Sequence, residues 1–279
     1  LSDEIFDKSI SGKRVIVTGA SQGIGKSIVF ELARRGAAHV VLVSRSEAKL
    51  LAAKNEILAE VPSAQLSILP ADLSNKAASV EMIHSATSLL GGSLDTLILN
   101  HITGSRFGTW LIDNKLNNGD EGQDFLETMF ATNCFSYIWM ATSAMPYLQA
   151  SSGSIAVVSS LAGHVGTPKT AVYSATKHAL QGFFDALRVE LTLLGPNYSN
   201  VSITIASIGA TDTEGARTVM EKVSDKVHWA PAKDAAISIL KGTMARRREI
   251  FHPHHIVFPA IVTNLLSPEL LDWTLVKAM

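Results

Sequence analysis

The chain of 279 residues has 47% hydrophobic content, nine prolines and a formal net charge of -1 at pH 7, enough to bury one large core without division into two domains. That charge balance leaves no basic surface of the kind nucleic acids require, and Arg246, Arg247 and Arg248 read as a solvated helix end. The single cysteine, Cys134, excludes an internal disulfide framework and a multi-cysteine metal site; among apolar neighbours it reads as a core thiol.

The opening Leu1, Ser2, Asp3, Glu4 has neither the charged start nor the apolar run of a signal peptide, a beginning compatible with processing or truncation. Val15 to Thr18 then reads as a first strand, and Gly19-Ala20-Ser21-Gln22-Gly23-Ile24-Gly25 follows directly, with a helix expected over Ile24 to Arg35. Gly19 permits a tight turn, Gly23 lets backbone approach a pyrophosphate, and Gly25 lets helix and strand pack closely. The helix amino end offers N–H groups and partial positive charge to phosphates, so strand, glycine turn and helix together point to a dinucleotide.

The second strand, Val40 to Ser44, runs into Arg45 and Ser46, where an NAD-binding protein commonly places an acid for the ribose 2'-hydroxyl. The fixed donor fork of an arginine suits a 2'-phosphate instead, which predicts NADP(H) over NAD(H). Ser46 reads as the cap of a helix over Glu47 to Ala59, with Glu47 a solvated first-turn acid. After a third strand, Leu66 to Leu69, Asp72 reads either as an acceptor for the adenine amino group or as a cap for the helix Lys76 to Leu90.

A fourth strand is expected over Leu94 to Leu99, a surface loop or helix-opening insertion over Asp113 to Asp124, and one helix over Gln123 to Gln149. The strand Ile155 to Ser159 delivers the hydroxyls of Ser159 and Ser160 at its carboxyl end. Tyr173 and Lys177 follow on the helix Ser174 to Leu194 side of the chain, four residues apart and hence on one helix face. A phenol of pKa near 10 is a poor acid or base at neutral pH, and a neighbouring cation is expected to lower it into use. Ser160 can bind a substrate carbonyl and share the proton with Tyr173, with no metal required. A last strand is expected over Val201 to Ala206. Apolar strands alternating with helices predict an α/β doubly wound Rossmann fold, a mostly parallel sheet with helices on both faces and ligands at the carboxyl ends of the strands.

In this order and approximate spacing, the glycine turn, Asn100, Asn133, Ser160, and Tyr173 with Lys177 resemble the short-chain dehydrogenase/reductase family across essentially the whole chain. Asn100-His101-Ile102-Thr103, Val157 to Gly163 and Tyr173 to Phe184 look most similar to its type 1 11β-hydroxysteroid dehydrogenase branch. The resemblance implies that Ser160, Tyr173 and Lys177 are catalytic and that Asn133 holds a water in a proton relay to Lys177. It places Gly19, Ser21, Gln22, Gly23, Ile24, Gly25, Arg45, Ser46, Asp72, Leu73, Asn100, His101, Ile102, Tyr173, Lys177, Thr211 and Thr213 around NADP(H). It further implies a lipophilic carbonyl or alcohol as substrate, most specifically a steroid, a homodimer built partly on the Tyr173 helix, and an endoplasmic reticulum membrane location through an amino-terminal anchor. Gln22 departs from the branch, which has a lysine there, and Thr167, Pro168 and Ala171 depart around the substrate pocket.

His101 reads as a wall of the cofactor pocket, and His252, His254 and His255, interrupted by Pro253 and lacking partner acids or cysteines, read as no metal site. The chain is expected to form one domain, 1–279, with 252–279 an apolar extension that completes the core, covers a partner subunit or touches a bilayer surface. The alternatives in view are a cytoplasmic location, a broad carbonyl reductase or retinol-type dehydrogenase, and a binding protein that senses nicotinamide state without turnover.

Overall fold

The computed structural model describes residues 1–104, 108–113, 120–219, 227 and 229–278. Seven parallel strands make the main sheet in the order β3-β2-β1-β4-β5-β6-β9. They are β1 (Arg14–Thr18), β2 (His39–Ser44), β3 (Leu66–Pro70), β4 (Thr96–Leu99), β5 (Ser154–Val158), β6 (Ser202–Ile208) and β9 (Glu249–His252). Two short strands, β7 (Thr211–Asp212) and β8 (Ala230–Pro231), pair separately. Connections run outward on one side through β2 and β3 and on the other through β4, β5, β6 and β9, so the order reverses between β1 and β4. Right-handed crossovers then put helices on both faces and open a crevice beyond the strand ends at the reversal.

Because successive strand residues face opposite ways, one strand feeds two cores. In β1, Val15 and Val17 join the layer under the helices Gly23–Arg34 and Ala232–Met244, while Ile16 joins the opposite layer. That second layer packs Tyr137, Met140 and Leu148 of the helix Ser136–Ser151 and Leu180, Phe184 and Leu191 of the helix Ala171–Leu193. The six strands expected from sequence are all present with ends shifted by a few residues; β7, β8 and β9 and the helix Ala232–Met244 are additional.

The helix expected over Gln123 to Gln149 is interrupted. Asp120–Phe130 is α-helical, Ala131–Phe135 is a π turn, and Ser136–Ser151 resumes the α-helix. One extra residue per turn rotates the side chains that follow, and Asn133 sits within that turn. Of the expected Asp113 to Asp124 loop, residues 114–119 lie outside the described set, and the flanks are helical.

Arg246, Arg247 and Arg248 are exposed just past the helix Ala232–Met244, as expected of a solvated helix end. Arg246 also holds the chain: in a left-handed turn, its guanidinium donates to the carbonyls of Ser152, Gly153 and Asn200. Arg248 pairs with Asp185 at 3.1 Å. The apolar tail forms the helices His254–Leu266 and Pro268–Ala278, and it completes the core only through residues such as Val257 and Leu271. Phe258, Leu265, Leu266, Leu270, Trp273 and Val276 remain exposed. No helix among the described residues is long and apolar enough to cross a membrane.

Phe184 is fully buried two turns beyond Lys177 and anchors the Tyr173 helix to the sheet. Phe184→Ala is expected to cost about 3–5 kcal/mol by lost transfer energy and cavity formation, read from the midpoint of urea unfolding.

Candidate active site

Thr18 ends β1, and the chain turns through Gly19 and Gly23 with positive φ before entering the helix Gly23–Arg34. A Cβ on Gly19 would lie 2.8 Å from His101 Cα, one on Gly23 2.9 Å from Thr213 Cγ2, and one on Gly25 2.1 Å from the Gly19 carbonyl oxygen. Only glycine fits the three positions. No side chain caps this helix, whereas Ser46 and Asn75 cap the helices after β2 and β3. The amino end therefore keeps its dipole and N–H groups for an anion, with Thr213 closing the turn from the opposite side.

Asn100, at the end of β4, gives its side-chain amide to the Thr18 and Gly19 carbonyls at 3.3 Å each, so it shapes the glycine turn. Ile102 is exposed beside it. His101 is buried, with both ring nitrogens in hydrogen bonds. Nε2 lies 2.8 Å from Ser136 Oγ, which donates to the Thr132 carbonyl at 2.6 Å, and Nδ1 lies 2.9 Å from Thr18 Oγ1, which is also 3.2 Å from the Ile98 carbonyl. Burial, reinforced by the charge of Lys177, pulls the imidazole down to about 3. His101 is thus a neutral tie between β1, β4 and the helix Ser136–Ser151, and Tyr137 completes it by donating to the His101 carbonyl at 2.6 Å.

Asn133 in the π turn is fully buried; its Oδ1 accepts from the Thr103 N–H at 2.8 Å and its amide donates to Met129 Sδ at 2.8 Å. These contacts use one lone pair and one N–H of the side chain to hold the β4 loop.

The catalytic candidates come together from two elements. Ser160, just past β5, accepts from the Ala162 N–H at 3.2 Å and acts on the Tyr173 phenol, while the Ser159 hydroxyl is buried without a partner among the described residues. Tyr173 and Lys177 share a face of the helix Ala171–Leu193. Lys177 is 1% exposed, lies 5.7 Å from the centroid of the Tyr173 ring and 5.4 Å from that of Tyr137, and donates to the Val158 carbonyl at 2.9 Å. No carboxylate pairs with it among the described residues. Burial drags its ammonium down to about 7.

That corrects the expected electrostatics of the pair. Tyr173 is raised above its ordinary value by burial, with Ser160 pulling the other way, rather than lowered by Lys177. A lysine near half ionisation at neutral pH exerts only part of a full charge on its neighbour.

The remaining predicted residues spread along the crevice. Arg45 is exposed and makes no ion pair among the described residues, Gln22 is exposed, Ser21 and Ile24 are half-buried, and Ser46 Oγ accepts from the Lys49 N–H at 3.3 Å. Asp72 accepts from the Ser74 N–H at 3.0 Å, which holds its carboxyl low; Asn75, not Asp72, caps the following helix. Leu73 is packed in the core, leaving its backbone for the crevice. Thr211 is buried with its hydroxyl on the Gly209 carbonyl.

Sequence reasoning missed His164, one turn past Ser160. Its Nε2 lies 2.6 Å from Glu249 Oε1 and 3.0 Å from Ser207 Oγ, tying the turn Leu161–Gly163 to β6 and β9. Asn264 of the tail donates to the His164 carbonyl at 3.0 Å. No local motif marks these partners, which stand 43 to 100 residues apart. Among the described residues no group of histidines, cysteines and acids could hold a metal.

A doubly wound sheet with an uncapped glycine turn at its reversal and a Ser, Tyr and Lys cluster beyond β5 defines a dinucleotide-dependent oxidoreductase. Residues 13–224 match the short chain dehydrogenase family model. A hydroxysteroid 11-beta-dehydrogenase 1-like protein of Gallus gallus is 41% identical over 90% of this chain and 82% of its own length. One of Xenopus tropicalis is 38% identical over 98% and 90%. A metagenomic short-chain oxidoreductase in complex with NADP superposes with a TM-score of 0.69 at 26% identity, covering 87% of this chain and 97% of that one. A short chain dehydrogenase/reductase from Burkholderia phymatum in complex with NAD gives 0.77 at 20% identity, over 94% and 96%, a likeness of fold. The chain belongs to the short-chain dehydrogenase family, and it is an oxidoreductase of that family.

Lys177→Met is expected to raise the melting temperature of the cofactor-free protein, since the lost bond to Val158 is worth about 1 kcal/mol and a buried unpaired charge costs more. The folded pKa of about 7 lies below the unfolded value, so the wild type binds fewer protons folded than unfolded between the two. The penalty is full below pH 7 and fades as pH rises towards roughly 10. The gap between variant and wild type should therefore narrow across that window in thermal scans; a gap independent of pH would refute it.

Proposed function

We propose that the protein is an NADP(H)-dependent oxidoreductase that interconverts a hydroxyl and a ketone on a bulky lipophilic substrate, a steroid in the first instance. The observation that carries the reading is Lys177, buried without a counter-charge under Tyr173, with Ser160 pulling the same phenol down.

The crevice fits the cofactor. The glycine turn is wound so tightly that a Cβ would strike His101, Thr213 or the turn's own carbonyl, the helix amino end is uncapped, and Arg45 stands at the end of β2, where the adenine ribose would lie. When bound, a nicotinamide supplies or accepts the hydride. The protein's residues do the rest. Ser160, its oxygen held by the Ala162 N–H, directs its hydrogen to a substrate carbonyl. Tyr173 gives its proton to that oxygen in reduction and takes it back in oxidation, and Lys177, near half ionisation at neutral pH, passes protons at little cost in either direction.

A steroid is supported by the names of the curated relatives, and the apolar tail helices, joined to the site through Asn264 and His164, suit a lipophilic substrate. The same reading extends to a homodimer on the Ala171–Leu193 helix, whose Val189 and Leu193 are exposed, and to an endoplasmic reticulum membrane location in keeping with such substrates.

Tyr173→Phe is expected to lower kcat by about 10²–10⁴ while NADPH affinity is kept, as measured by turnover and by fluorescence titration. Undiminished turnover would remove the mechanism. With NADPH, a panel of steroid ketones, retinal and small ketones followed by absorbance of the reduced cofactor should favour the steroids in kcat/KM. Turnover confined to the small ketones would overturn the substrate assignment.

A further inference from the structure

Lys49 is the fourth residue after Arg45 and lies in the first turn of the helix Glu47–Glu60. Its backbone N–H is fixed by Ser46 Oγ at 3.3 Å. Its side chain turns back towards the crevice rather than along its own helix, and Nζ donates to Gln22 Oε1 at 3.3 Å. Gln22 is the residue before the second glycine of the phosphate turn and belongs to a different strand–helix unit, 27 residues away.

The neighbouring cation behaves otherwise. Lys26 is bound to a carboxylate, Glu56, at 2.6 Å. Lys49 has a neutral amide as its partner and no carboxylate among the described residues, although Glu47 stands on the same turn. Arg45 likewise makes no ion pair among the described residues. Two exposed cations without an ion pair among the described residues thus border the groove between the ends of β1 and β2, with Asp72 the acid whose carboxyl Arg45 helps to lower and Gln22 a neutral bridge.

From this placement we infer that Lys49 is a specificity-determining residue for the cofactor: with Arg45 it holds the 2'-phosphate, and Gln22 orients its ammonium. This rests on the NADP(H) reading above. A guanidinium fork can take two phosphate oxygens and leaves the third, which a point-charge ammonium on a flexible stem can meet. The helix amino end adds its dipole to the same anion. Gln22 needs no charge of its own, because it accepts from Lys49 through Oε1 and keeps its amide N–H groups for the phosphate.

The test is calorimetric binding of 2',5'-ADP and of 5'-AMP, which differ only in the 2'-phosphate, to the full chain and its variants. In Lys49→Met, the preference for 2',5'-ADP over 5'-AMP should fall about tenfold, the scale of one charge-assisted hydrogen bond. Lys49→Arg should retain most of it. Adding Gln22→Lys to Lys49→Met should restore it, since the cation would then arise from the turn itself. A wild-type protein that prefers 2',5'-ADP and a Lys49→Met variant with the same preference would overturn the role of Lys49 while leaving NADP(H) in place. A wild type with no preference would overturn the NADP(H) reading and this inference with it.

Discussion

The ammonium of Lys177 is the constraint to which much of the molecule answers. It is 1% exposed, has a main-chain carbonyl for its acceptor and stands among aromatic rings. An isolated buried cation is expensive, and proteins relieve it by shifting its pKa. The relief is visible in its fall to about 7. The strain is tolerated because Leu180, Phe184 and Leu191, further along the same helix, are locked into the core, so the helix cannot roll to bring Lys177 to water. Stability gained over several turns of helix holds one destabilising group in place, a distribution expected where the group serves chemistry.

A second tie network makes the crevice rigid. Thr18, Asn100, His101, Ser136 and Tyr137 lock the carboxyl ends of β1 and β4 to the helix behind them. The two strands flank the reversal of the sheet, where no strand-to-strand connection of its own fills the gap. Side chains supply what the topology omits. A charged imidazole there would repel Lys177, and burial keeps His101 neutral, so the two groups coexist a short distance apart.

The sequence made legible whatever is local. The glycine turn, the Arg45 and Ser46 pair, Ser160, and Tyr173 with Lys177 each declare themselves within eight residues, and every expected strand forms. What stayed hidden depends on burial or on distant partners. The direction of the Tyr173 shift follows from depth that spacing does not encode. The π turn at Asn133 inserts one residue into an otherwise continuous apolar period, too small a disturbance to read from the pattern. Asp72 reads from its neighbours as an adenine acceptor or a cap, and the cap of the next helix is instead Asn75, three residues later. His164, Glu249 and Ser207 meet only because β6 and β9 are neighbours, and β9 follows a helix the sequence did not announce.

Charge is thus used in two opposite ways along one crevice. At its outer end Arg45 and Lys49 are exposed, so holding them there costs little. Such cations suit a dianion that must be recognised and released, since each contact is modest and screened by salt. At the inner end Lys177 is dehydrated, and its charge is conditional near neutral pH. A permanent charge there would hold the Tyr173 proton balance at one extreme; a conditional one lets the site give and take a proton with similar ease. Under the proposed roles, the depth of each lysine, more than its identity, divides anchoring from proton transfer.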